Sequence, residues 1–213
     1  MTTFALVGPI DPYLDHLAFV NPDVVIAVDG GYGCLVEAGM SCDMAVGDFD
    51  SLGYVPDDVP VIELPCHKDQ TDTQEALDFA LSEGADTVYV YGTLGGRVDH
   101  TLAFLQLLGE CAANGLNAIA VDHEQAIIPL WGEGRNKAKF AGAPWGTFSL
   151  LALSNGVTGV TESGVEYELE DGLLCNAYPL GISNEFLGQP ATISIKTGSA
   201  LLFIPLELLK NLL

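Results

Sequence analysis

From residue 4 to about residue 128 the chain alternates short apolar runs with amphipathic segments of helical period, and that alternation leaves few folds open. Phe4–Gly8, Val24–Val28, Asp43–Val46, Val59–Leu64, Thr87–Tyr91 and Asn117–Val121 read as strands. Helical spacing appears at Leu14, Leu17 and Ala18, in a short stretch after Gly31, over Thr73–Ser82 and over Val98–Ala113. Strands joined by helices run parallel, so the pattern predicts an α/β domain with a mainly parallel sheet. After about residue 130 the texture changes to glycine-rich turns and short β-like runs: Phe148–Leu153, Val157–Val160, Val165–Leu169, Gly181-Ile182, Ala191–Lys196 and Ala200–Ile204. Their spacing predicts a small all-β domain, a sandwich or barrel. The expected organisation is an α/β domain over residues 1-135 and a β-rich domain over 136-213, with a helix-like tail at Leu206–Leu213.

Ligands of open α/β sheets bind beyond the carboxyl ends of the strands. Four loops loaded with aspartate and glycine fall there: Asp29-Gly30-Gly31, Gly47-Asp48-Phe49-Asp50-Ser51, Lys68-Asp69-Gln70-Thr71-Asp72 and Gly92 to His100. Asp48 and Asp50 are two apart, so an extended loop turns both carboxylates to one side. That suits Mg²⁺, which takes oxygen ligands, although aspartates also stabilise turns through their own backbone. Asp69 and Asp72 share a face at a helix start. There the ligand reading competes with capping, because Thr71 and Gln74 match a capping box. Lys68 suits a phosphate oxygen. Gly95 and Gly96, before a helix N-terminus, suit close approach to phosphate. Neither a Walker A loop nor G-x-G-x-x-G occurs. Arg97, one of two arginines, reads as a phosphate or loop-ordering contact in competition with an ion pair to Asp99. Together these features indicate a Mg-nucleotide phosphotransferase without a P-loop.

Bulk composition narrows the partners. Hydrophobic residues at 49% and charged residues at 17% describe a compact chain. The formal net charge of −22 excludes general nucleic-acid binding, which needs a basic footprint. An anionic substrate such as ATP must then be held through metal ions, backbone amides and a few cations. No apolar run approaches the roughly 20 residues that span a bilayer, and Met1-Thr2-Thr3 carries no basic leader, so a cytoplasmic location is expected. The scattered cysteines at 34, 42, 66, 111 and 175 read as structural thiols.

The motifs in this order resemble the thiamine pyrophosphokinase family. The resemblance rests on Asp29-Gly30-Gly31, GDFDS at Gly47–Ser51, KDQTD at Lys68–Asp72 and LGGRVDH at Leu94–His100. It continues through Ser154-Asn155-Gly156, Gly164–Leu169, Gly181–Phe186 and Gly198–Ile204. The resemblance implies transfer of a diphosphoryl group from ATP to the hydroxyl of thiamine. It implies a homodimer with active sites at the subunit interface, and ATP with Mg²⁺ against Asp48, Asp50, Asp69 and Asp72. Ser183 and Asn184 would help bind thiamine, with Asp99 nearby and Lys68 and Arg97 offsetting phosphate charge. The proton acceptor stays open between Asp72 and Asp99. So does the aromatic that stacks on thiamine, among Trp131, Trp145, Tyr178 and Phe186. A pyrophosphokinase acting on a pterin alcohol is the rival enzyme, opposed by the Ser183–Phe186 segment and the full β domain. A non-catalytic thiamine or nucleotide sensor is the other rival; its mark would be a missing metal carboxylate, and all four are present.

Overall fold

The computed structural model describes residues 1–65, 69–142 and 145–213, and they form two compact units. The first comprises Met1–Phe104 with Ala118–His123, the second Leu105–Asn117 with Glu124–Leu213.

The first unit is built on β1 (Thr3–Val7), β2 (Val24–Val28), β3 (Met44–Gly47), β4 (Val61–Glu63), β5 (Thr87–Tyr91) and β6 (Asn117–Val121). Their order across the sheet is β6-β5-β1-β2-β3-β4. β1 pairs in parallel with both β2 and β5, β2 with β3, and β3 with β4. Helices α1 (Leu14–Val20), α2 (Gly31–Glu37) and α3 (Asp72–Ser82) connect them, and α4 (Val98–Ala113) follows β5. Phe4 to Val7 are all buried, which is why β1 reads as an unbroken apolar run rather than an alternating one. The expected mainly parallel α/β sheet is thus present.

Successive strands are added in one direction from β1 to β4, and then in the other from β5. This switch point is where open α/β sheets hold ligands. The backbones leaving β1 and β5 nearly touch there: Gly8 N–H donates to Tyr91 O (2.8 Å), and Ile10 N–H to Gly92 O (3.0 Å). A Cβ on Gly92, whose φ is +67°, would lie 2.2 Å from Gly8 O, so no larger residue fits this crossing.

The second unit contains two antiparallel sheets. One has β7 (Gln125–Trp131), β9 (Gly146–Ala152), β12 (Asn184–Phe186) and β14 (Ser199–Pro205) in the order β12-β9-β14-β7. The other has β8 (Lys137–Phe140), β10 (Val157–Ser163), β11 (Leu169–Leu174) and β13 (Ala191–Ser194) in the order β11-β10-β13-β8. Phe186 of one sheet meets Phe140 of the other at 4.9 Å between ring centroids, and Phe148 at 4.6 Å. All three are buried, and burying each stabilises the sandwich by about 1.5–3 kcal/mol. The tail forms a 3-10 turn over Leu206–Asn211.

Two local readings change. β7 carries Pro129, a residue that argues against a strand, and residues 125–131 are not among the expected strands. Lys137 and Lys139 are the outward face of β8, whose partner is β13, because the chain crosses from one sheet to the other. The expected strand at Val165–Leu169 begins only at Leu169, and residues 164–168 form a loop held by side chains.

Candidate active site

The loop edge of the first unit gathers carboxylates from two strands. β2 and β3 pair in register Val28↔Val46, so Asp29 and Gly47 leave the sheet side by side. Asp29 N–H donates to Val46 O at 2.9 Å. Gly47 permits this approach, since a Cβ there would lie 3.0 Å from Asp29 Cα and 3.1 Å from its nitrogen. Gly31 is more constrained: its Cβ would fall 1.8 Å from Val7 O. Phe49, with φ +57°, is buried at 2% exposure between the half-buried Asp48 and the exposed Asp50.

Asp29, Asp48 and Asp50 each present an oxygen within 4.8 Å of the other two. The Ser51 hydroxyl donates to Asp29 Oδ2 (2.8 Å), and Asp50 N–H to Asp48 Oδ1 (3.3 Å). Asp29 Oδ1 is buried with no partner among the described residues. An unpaired buried carboxylate oxygen beside two further carboxylates is costly unless a cation satisfies it. An all-oxygen donor set of this kind fits a hard cation such as Mg²⁺. Sequence alone places Asp29 with Gly30 and Gly31 in a strand-end loop; the register of two parallel strands brings it into the acidic group.

Asp69 and Asp72 are not part of that group. Asp69 is exposed, and Asp72 is half-buried in the first turn of α3. Thr71 is the N-cap, its Oγ1 accepting from Gln74 N–H at 3.2 Å, so the capping reading holds for Thr71. Lys68 lies outside the described residues.

Past β5, Gly92, Gly95 and Gly96 all have positive φ, which shapes the loop that runs into α4. Arg97 and Asp99 form a two-point ion pair, Nε to Oδ1 at 3.2 Å and Nη2 to Oδ2 at 2.6 Å, with both side chains mostly exposed. The hydrogen bond from Arg97 holds the Asp99 carboxyl below its ordinary value and raises that of Arg97. Thr93 was not singled out by motif; its Oγ1 is buried beside the same loop without a partner among the described residues. Tyr32 was also missed: its hydroxyl donates to Asp58 Oδ1 (2.5 Å), tying α2 to the segment after Asp50. That bond pushes the Tyr32 phenol up to about 12. No local pattern could reveal a contact made across 26 residues.

In the second unit Ser183 is exposed, with φ +61°, and its N–H donates to Ser149 Oγ (3.1 Å). Asn184 has no spare capacity. Its Oδ1 accepts from Tyr167 N–H (3.0 Å) and Glu185 N–H (2.8 Å). Its Nδ2 donates to Glu162 Oε2 (2.6 Å) and Tyr167 O (2.8 Å). Burial pushes the Glu162 carboxyl up, opposed by the Asn184 hydrogen bond. Of the stacking candidates, Phe186 is fully buried and is withdrawn; Trp145 and Tyr178 are exposed, and Trp131 lines a recess of about 330 Å³ with Leu116 and Pro129.

Fold and site define a class: a doubly wound α/β unit with a carboxylate-built cation site on its loop edge, joined in one chain to an antiparallel β-sandwich. Residues 16–120 match the thiamin pyrophosphokinase catalytic domain and residues 141–202 the thiamin pyrophosphokinase vitamin B1 binding domain. The thiamine pyrophosphokinase of Bacillus subtilis is 30% identical over 186 residues, 81% of this chain and 83% of its own. A crystal structure of thiamine pyrophosphokinase from Bacillus subtilis superposes with a TM-score of 0.82 at 25% identity, covering 96% of this chain and 99% of that one. Thiamin pyrophosphokinase from Candida albicans shares the fold, with a TM-score of 0.79 at 17% identity over 96% of this chain and 88% of that one. The chain belongs to the thiamine pyrophosphokinase family, a family of enzymes.

Proposed function

We propose that the protein transfers a diphosphoryl group from ATP to the hydroxyl of thiamine, giving thiamine diphosphate and AMP. The observation that carries this reading is the Asp29, Asp48, Asp50 group, with a buried oxygen that has no partner among the described residues, in a chain of this family. The α/β region, residues 1-135, is the nucleotide- and metal-binding part, and residues 136-213 bind thiamine.

Asp29, Asp48 and Asp50 would hold Mg²⁺, and Asp69 and Asp72 would supply further carboxylate oxygens to the metal that accompanies ATP. When bound, Mg²⁺ supplies charge neutralisation and orientation of the phosphates. Arg97 exchanges its exposed partner Asp99 for a phosphate oxygen, Lys68 takes another, and the backbone at Gly95 and Gly96 approaches the chain of phosphates closely. The thiamine hydroxyl oxygen forms a bond to the β-phosphorus, the bond from that phosphorus to the α,β-bridging oxygen breaks, and AMP leaves with the electron pair. The hydroxyl proton passes to a carboxylate of the site, Asp72 or Asp99. Ser183 of the partner subunit contributes to the thiamine side in a homodimer. The acidic surroundings suit thiamine's permanent thiazolium charge. The enzyme acts in the cytoplasm; among the described residues no helix is long and apolar enough to cross a membrane.

Asp29→Asn and Asp48→Asn test the metal assignment. Each is expected to lower turnover on the order of a hundredfold or more, with the circular dichroism spectrum unchanged. Near-normal turnover in both variants sinks the assignment.

A further inference from the structure

The loop that carries Gly95 and Gly96 into α4 is held by two residues outside the motifs. Thr101 stands in the first part of α4, and its N–H donates to Arg97 O at 3.1 Å, so the backbone alone makes the helical bond there. Its hydroxyl reaches back out of the helix and donates to Gly95 O at 3.0 Å, with a longer branch to Arg97 O at 3.3 Å. The Gly95 bond spans six residues rather than the four of a helical back-bond, and it fixes a carbonyl of the loop itself. Ile10, from the segment after β1, packs against the glycines. A Cβ on Gly95 would meet Ile10 Cγ2 at 3.7 Å, and one on Gly96 would meet Ile10 Cδ1 at 3.2 Å. Both glycines have positive φ, +89° and +63°, and both are exposed, so the loop keeps an open surface while its Cβ side rests on Ile10. Ile10 is anchored in turn. Its N–H donates to Gly92 O at 3.0 Å, and just beyond it Asp11 Oδ2 lies 3.4 Å from His123 Nε2 and the Tyr13 and His123 rings are 4.6 Å apart. Without such a hook and floor, two consecutive glycines would sample many backbone states, because glycine loses more freedom on ordering than any other residue.

We propose that Thr101 and Ile10 are positioning residues for diphosphoryl transfer, holding the Gly95–Arg97 backbone in the shape that receives the triphosphate of ATP. The proposal rests on the ATP reading above. Arg97 leaves Asp99 to meet a phosphate oxygen, and both side chains are mostly exposed, so that exchange costs little. With Gly95 O pinned by Thr101, the guanidinium changes partner while the peptide groups beside it stay in place. The ordering of the two glycines is then met on folding rather than on binding, which leaves more of the phosphate contacts to show as affinity. Neither Thr101 nor Ile10 touches the nucleotide; each acts through the loop.

Two readouts decide the matter. One is steady-state kinetics with ATP and thiamine varied separately. The other is calorimetric titration, with Mg²⁺ and without thiamine, of the α,β-methylene analogue of ATP, which cannot release AMP. Thr101→Val keeps the shape of the side chain and removes the hydroxyl. It is expected to raise KM for ATP and weaken analogue binding roughly three- to tenfold, as loss of one hydrogen bond does, while KM for thiamine stays within about twofold. Thr101→Ser restores both values. Ile10→Ala weakens ATP in the same selective way, and Ile10→Val, which keeps the Cγ2 that faces Gly95, does so less. A general loss of structure would move both substrates together, so equal rises in the two KM values overturn the proposal. An unchanged KM for ATP in Thr101→Val overturns it too, as does failure of Thr101→Ser to rescue. An indifferent Ile10→Ala removes Ile10 from it. If Thr101→Val does not fold, Thr101→Ala supplies the same comparison, and the Ile10 pair decides independently. Wild-type protein that forms neither AMP nor thiamine diphosphate counts against the ATP reading itself, whereas active wild type with an indifferent Thr101→Val counts against Thr101 alone.

Discussion

Glu162 and Asp29 are both carboxylates with one oxygen buried and without a partner among the described residues, yet they face opposite electrostatic futures. Asp29 stands within reach of Asp48 and Asp50, where a cation relieves it; Glu162 stands in an apolar sandwich with a single amide donor. Burial raises the Glu162 carboxyl above the ordinary 4.5, so the folded state holds that proton more tightly than the unfolded chain. Its contribution to stability is complete below pH 4.5 and is lost as pH rises through the folded value. Glu162→Gln removes this dependence. The melting temperature of the variant relative to wild type should climb as pH rises above about 4.5 by differential scanning calorimetry, and a difference flat with pH would contradict the sign. Legibility at this scale followed distance along the chain. Asp48 and Asp50 announce themselves within one loop, whereas Asp29 joins them only through the β2–β3 register, and Asn184 holds the backbone of Tyr167 from 17 positions away.

Elements that build the sheet of the first unit were legible because β1, β2 and β5 bury residues on both faces and are therefore largely apolar. α3 announced its start through the Thr71–Gln74 pair, and Thr71 does cap it. Thr71→Ala should cost on the order of 1 kcal/mol, read as a lower urea midpoint at constant m-value, and an unchanged midpoint would remove the cap from the account of α3. α2 depends instead on close approach. Gly31→Ala would drive a methyl group into Val7 O and should destabilise by roughly 1–3 kcal/mol or more in the same assay. The β-sandwich was less legible, since its strands are half-buried and interrupted. β11 hides behind Glu170-Asp171-Gly172, and β7 behind Pro129. Cross-strand pairing, which no local pattern encodes, decides those elements.

The whole molecule carries 29 acidic residues against 7 basic ones, a self-repulsion that opposes compactness. Salt shortens its range from about 30 Å at 0.01 M to about 3 Å at 1 M. The melting temperature should therefore rise with KCl across that interval, more steeply than for a protein of balanced charge, and a flat or falling curve would show that the charge is already compensated locally. The same surplus makes catalysis on ATP hinge on metal, because few cations are available to meet a triphosphate. The most direct test of the central claim is to incubate the purified protein with ATP, Mg²⁺ and thiamine and to resolve the products by chromatography. The expected result is AMP and thiamine diphosphate in equal amounts, both abolished by EDTA. ADP with thiamine monophosphate, or no thiamine product at any salt concentration, would contradict it.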